Sequence, residues 1–167
     1  MDLQKLLTDG AILSGLASLF IVISLRLYPR IWLHDYPADI QAAVPSKTPQ
    51  EKKLSLLWGI PFMLLLLAVP LFSTLTLEQQ AGGTIPFWTL FLHAFGIVLI
   101  FNLFDWLILD WLMFCTITPE FLVIPGSEGM SGYKDYWFHF RGFLFGTLFS
   151  AFGGLIIAVV VYFLSNW

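Results

Sequence analysis

One cysteine, Cys115, is all the chain contains, so it can form no intrachain disulfide and offers no cysteine cluster for a metal. Charge is also scarce. Asp, Glu, Lys and Arg make up 11% of the 167 residues against 58% hydrophobic, which leaves too little polar surface to cover a water-soluble domain. The chain has no GxSxG elbow, no P-loop, no GxGxxG after a strand and no CxxCH, so the usual signatures of hydrolases, nucleotide binders and haem attachment are missing. The net charge of -3 and the lack of a concentrated basic face argue against a nucleic-acid partner.

In place of these the chain has four stretches without a charge, at 10–25, 54–77, 81–104 and 142–167. A spanning helix needs about 20 apolar residues. The first stretch, 16 residues between Asp9 and Arg26, reaches that length if the flanking side chains snorkel toward the headgroups. The pattern predicts an all-α integral membrane protein, a four-transmembrane-helix bundle forming a single four-span membrane domain over 1–167. Its spans are expected at approximately 10–27, 54–77, 86–113 and 142–165. Two connections are longer, the first containing a short helix and the third interfacial. Trp167 suits an anchor at the membrane surface.

Orientation follows from Lys and Arg, which favour cytoplasmic loops. Arg26, Arg30, Lys47, Lys52 and Lys53 lie in or beside the first connection, and Lys134 and Arg141 in the third, whereas the second has none. The expectation is a multi-pass cell-membrane protein with both termini outside and connections one and three in the cytoplasm. Basic residues mostly follow the first apolar run, so that run reads as an uncleaved anchor.

Pro29, Pro37, Pro45 and Pro49 forbid one helix through the first connection. Asp35 before Tyr36 and Pro37 fits the start of a short helix over 38–44, and Thr48-Pro49-Gln50-Glu51 is a capping box that opens the second span. In the fourth span Gly142, Gly146, Ser150, Gly154 and Ala158 recur every four residues and form a smooth packing stripe. Its expected partner is the first span, through Ala11, Ser14, Gly15 and Ser18, or the same stripe of a second copy.

Candidate chemistry is concentrated in the third span. Asn102, Asp105 and Asp110 interrupt an apolar helix. At about 100° per residue, Asp105 lies about 60° to one side of Asn102 and Asp110 about 80° to the other, on one broad face. Ionisable groups at membrane depth usually mark a polar cavity or a paired site. Near the interface, pairing with Arg26, Arg30 or Arg141 would make them structural glue. His93 falls on the far side of that helix and reads as packing. A cytoplasmic-side group, Arg30, His34, Asp35, Asp39, Asp135, His139 and Arg141, can converge on the inner end of this span. Its carboxylates and imidazoles would suit a metal, but no HxxxH or HExxH spacing demands one, and no metal ligand is assigned. In the third connection residues 126–132 read as a flexible turn in preference to an anion nest. Tyr133, Tyr136, Trp137, Phe138 and Phe140 read as an interfacial aromatic belt.

These features support first a small binding or accessory module with a polar cytoplasmic-side site for a lipid headgroup, small ligand or partner subunit. A proton- or ion-coupled carrier using Asp105 ranks second and requires a homodimer, because four spans are few for a transport path. A membrane enzyme using His34, Asp35 and His139 ranks third. The expected partners are the lipid bilayer and a second copy or a larger membrane complex; no cofactor is indicated.

Overall fold

In the computed structural model, which describes residues 2–165, the chain is helical, and among the described residues there is no strand. Trp167 lies outside the described residues. The first long helix, α1 (Leu3–Leu27), begins well before the apolar run. Asp2 caps it by accepting from the Lys5 amide (2.9 Å), and Lys5 Nζ pairs with Asp9 one turn on (2.8 Å). Charged residues expected to flank the helix are thereby carried inside it.

A 3₁₀ segment, Pro29–Asp35, leads to the short helix α2 (Ala38–Ala43). The cap position of α2 is taken by Pro37, not Asp35, because Asp35 ends the 3₁₀ segment and turns toward His34. The capping box is formed as the sequence indicates: the Glu51 amide donates to Thr48 Oγ1 (3.2 Å) and the Thr48 amide to Glu51 Oε2 (2.7 Å), opening α3 (Pro49–Gln80). Pro61 and Pro70 lie within α3, and Thr74 Oγ1 donates to the Pro70 carbonyl (2.7 Å). This back-bond to the preceding turn satisfies the threonine hydroxyl inside an apolar helix.

The third long helix changes its winding part-way. α4 (Phe87–Phe104) is α-helical and then runs on as a 13-residue π-helix, Asp105–Ile117. That segment ends on Thr118, whose left-handed backbone (φ 49°) costs a non-glycine residue about 1–2 kcal/mol. Lys134 offsets the cost by donating to the Cys115 and Thr116 carbonyls (2.6 and 3.2 Å) and to Thr118 Oγ1 (2.7 Å), placing a cation on the open carbonyl end. The last helix, α5 (Tyr136–Ser165), starts ahead of the expected span because Asp135 caps it, accepting from the Phe138 amide (2.8 Å). The aromatic belt from Tyr136 onward, with His139 and Arg141, is therefore helical.

All four long helices are apolar and long enough to cross a bilayer, and the chain is a multi-pass membrane-type protein. α4 is the central helix, packing on α1, α3 and α5. The stripe of small residues faces α4 and not α1: a Cβ on Gly154 would stand 2.8 Å from the Phe95 amide nitrogen, while α1 approaches α4 separately, Gly10 against Ile100 and Gly96 against Leu6. Sequence periodicity reveals a close-packing face without naming its partner, and here both flanking helices use the central one.

The two long connections cap one end of the bundle together. Tyr36, Ile40 and Val44 from the first pack with Leu122, Ile124 and Tyr133 from the third around Leu25, Phe114 and Cys115. Tyr36 Oη donates to the Leu122 carbonyl (2.9 Å), and the Gly132 amide donates to Asp39 (2.8 Å).

Candidate binding site

Beneath that cap, between the end of α1, the α4–π junction and the first turns of α5, lies a cavity of about 410 Å³. The π winding shapes one wall. Its i→i+5 hydrogen bonds bring residues five apart into rough register, so Asp105 and Asp110, which α-helical spacing would splay, both line the cavity. Asn102 lies above them, its amide donating to the Phe143 carbonyl (3.0 Å) and Thr147 Oγ1 (3.1 Å) and tying α4 to α5. The opposite wall brings His34 and Asp35 from the 3₁₀ segment, and α5 brings His139.

Two His–Asp pairs face this space. His139 Nδ1 lies 2.9 Å from Asp110 Oδ1, and the imidazole is 6% exposed, packed on the Phe114 ring at 4.7 Å. A carboxylate only accepts, so Nδ1 carries the proton; in the neutral ring Nε2 is then an acceptor, and it is buried without a partner among the described residues. His34 Nε2 lies 3.3 Å from Asp35, and its Nδ1 is 3.0 Å from Lys47 Nζ. Lys47, a donor only, sets His34 as the Nε2–H tautomer and also donates to the Ile31 carbonyl and Ser55 Oγ (3.0 Å). Burial pulls the Lys47 ammonium below its ordinary value, against Asp35 and Glu51.

Asp35 keeps 54% of its side chain exposed at the cavity mouth. The surrounding protein mass nevertheless disfavours its charged form and, with Asp110 adding repulsion, raises its pKa above 3.8 against the pull of His34 and Lys47. Aromatic rings complete the walls. Trp106 stacks on Phe143 (4.5 Å) with its Nε1 buried and without a partner among the described residues, Trp32 meets Phe62 (5.7 Å) and Tyr36 meets Phe114 (5.2 Å).

Of the sequence candidates, Asn102, Asp105, Asp110, His34, Asp35 and His139 border this cavity. The others have structural duties or stand apart. Arg30 binds Glu51 (2.6 Å) and the Pro45 carbonyl (2.8 Å), Asp39 anchors Gly132, Asp135 caps α5, and Arg141 is exposed on α5. The wall residues Trp32, Tyr36, Trp106 and Phe143 were not singled out from the sequence. Their signal is an aromatic adjacent to, or one turn from, an in-membrane acid or loop histidine. Among the described residues no three His, Cys, Asp or Glu side chains come together in a metal-holding arrangement. In the third connection the Gly126 amide is occupied by Glu128 (3.0 Å to each oxygen), and backbone amides of Glu128 and Gly126 hold that carboxyl below its usual value.

A second polar group lies toward the other end. Asp9 accepts from Lys5 (2.8 Å) and from Ser73 Oγ (2.5 Å), and Ser73 Oγ lies 2.9 Å from His93 Nε2. Since Ser73 gives its one proton to Asp9, His93 donates from Nε2. His93 is fully buried, its Nε2 met by Ser73 on α3 and its Nδ1 without a partner among the described residues, so it serves packing, though in company.

Comparison of the chain with protein-family models, with curated proteins and with solved structures gives no match.

Proposed function

We propose that this multi-pass membrane protein is a binding module whose loop-end cavity holds a protonated amine, carried by a lipid headgroup or a small ligand. The observation that carries the reading is the cavity's acidic lining: Asp35, Asp105 and Asp110 border it and no Lys or Arg does. Free acceptors dominate, since His139 Nε2 adds a lone pair to the carboxylates, and an ammonium supplies donors for all of them. Aromatic walls favour a cation over a neutral alcohol. Trp106 Nε1–H would take an oxygen acceptor beside the amine. Seven of the eight Lys and Arg residues lie on the loop side of the bundle, which supports placing the cavity at the cytoplasmic face.

Native mass spectrometry of protein extracted from its own membranes, followed by calorimetric titration with butylamine and butanol, tests this. The expected result is a retained amine-bearing species or a partner-free protein that binds butylamine and not butanol, with Asp105→Asn weakening butylamine about 10- to 100-fold, the worth of one charge-assisted hydrogen bond. Equal binding of amine and alcohol overturns the reading. Copurifying polypeptides that occupy the acidic end would assign it to a partner subunit instead.

A second reading rests on the two His–Asp pairs sharing one space. Imidazole held by carboxylate is a usual acid–base device, so conversion of a bound amine-bearing molecule, abolished by His139→Gln while binding persists, would make the module an enzyme. The carrier reading has less support: beyond the cavity, Leu13, Ala17 and Ile97 are buried in an apolar cluster.

A further inference from the structure

On the outer face of α3 lies an apolar groove of about 420 Å³, walled by Leu56, Gly59, Ile60, Met63 and Leu67. Its loop-side end is bounded by Trp32 and His34, two residues that also line the acidic cavity. The polar side chain on the α3 wall, Ser55, gives its hydroxyl to the Ile31 carbonyl (2.8 Å), so the helix offers hydrocarbon. α3 is the outermost helix: only 6% of its most apolar stretch is buried, against 22–28% for the others, so the groove opens where acyl chains lie. Gly59 gives the groove its depth, since a Cβ there would meet no atom within 4 Å.

We propose that cavity and groove form one site for an amphiphilic amine, with the ammonium among Asp35, Asp105 and Asp110 and the alkyl chain of the same molecule along α3, the two joined past Trp32 and His34. This rests on the amine reading of the cavity. Continuity of the walls carries it. A chain lying in the groove places its own head at the cavity mouth at high effective concentration, and a head in the cavity removes the need for its chain to cross exposed backbone or charge.

The test compares the full chain with Gly59→Trp, which fills the groove from an open position, and with Phe72→Trp, a change at a residue that is 66% exposed and outside the groove. Both are held in an amphipathic polymer and titrated with butylamine, octylamine, dodecylamine and dodecanol. Partition of the probes into the polymer is common to all three proteins, so affinity ratios report the groove. The expected result is equal butylamine affinity throughout and a dodecylamine affinity at least tenfold weaker in Gly59→Trp alone. Dodecylamine bound equally by wild type and Gly59→Trp, with butylamine binding intact, overturns the joint site and leaves the amine reading standing. No amine bound at any length removes the amine reading itself. Dodecanol bound as tightly as dodecylamine overturns the joint site too, because the chain would then bind without the head. A change in copy number in native mass spectra of Gly59→Trp would assign the groove to a second copy.

Discussion

Away from the loops, Asp9 accepts from Lys5 and Ser73, and Ser73 in turn accepts from His93; under the loops, Asp35, Asp105 and Asp110 share one open space with His34 and His139 and no lining cation. Both regions combine carboxylates with imidazole inside an apolar bundle, where an unpaired ion is costly. In the first the carboxylate is paired with a lysine one turn away and the histidine is fully buried. In the second, donors are fewer than acceptors, and space for a molecule of modest size adjoins them. The difference teaches that polar content alone does not mark a site in such a bundle. A deficit of counter-charge next to an opening does.

The largest effect that can break this contrast is on stability. Asp9→Leu leaves Lys5 without its partner and strands Ser73 and His93 against hydrocarbon, at an expected loss of about 2 kcal/mol, below the usual figure for breaking a fully buried pair because Asp9 is 19% exposed. Asp105→Asn keeps the shape of one of three acidic side chains around a cavity while removing its ability to ionise, and is expected to leave stability unchanged or raised. Denaturant titration of both variants in detergent checks the pair. A neutral Asp9→Leu beside a costly Asp105→Asn would exchange the roles of the two ends.

The contrast is sharpened by giving the loop end the cation it lacks. Gly142 lines the cavity, and a Cβ there meets nothing within 4 Å, so Gly142→Lys can lay an ammonium on a flexible stem among the carboxylates much as Lys5 lies on Asp9. The expected outcome is unchanged or slightly higher stability with butylamine affinity reduced about tenfold, roughly 1.4 kcal/mol, by internal competition. Undiminished amine binding in a folded Gly142→Lys would mean that the carboxylates are not the binding groups.

Much of this architecture was legible in the sequence, for reasons that also mark where reading stopped. The four long helices follow from uncharged runs, and the start of α3 from Thr48 and Glu51, because both signals are local. The two candidate groups around Asp105 and His34 were visible as in-membrane acids and loop histidines. Their convergence at the inner end of the third span was expected too, but the π winding from Asp105 onward, which changes which residues share a face, was not, and nothing in the residue types of 105–117 announces it. Arg30, Asp39 and Asp135 look equally functional in sequence, yet their partners are backbone amides, carbonyls and Glu51, contacts set by tertiary approach. The same limit hid the partner of the Gly146–Gly154 stripe and the link of His93 to α3, since a helix surface records what it can pack without recording against what.

The smallest effect concerns pH and Asp35 at the cavity mouth. Its pKa is raised above 3.8 by the surrounding protein and Asp110, so the folded, empty protein holds this proton more tightly than the unfolded chain. The stability contributed by this group is therefore fully present below pH 3.8 and lost as pH rises through the raised value. Amine binding has the opposite requirement, because an ammonium needs the carboxylate ionised. As pH falls through that window the empty protein gains stability from Asp35 while amine affinity declines. Melting temperature of the empty protein and calorimetric affinity for butylamine, each followed against pH in wild type and Asp35→Asn, should show opposed slopes whose Asp35 part vanishes in the variant. Slopes of the same sign would mean that Asp35 does not face the bound cation, and would shift the binding charge inward to Asp105 and Asp110.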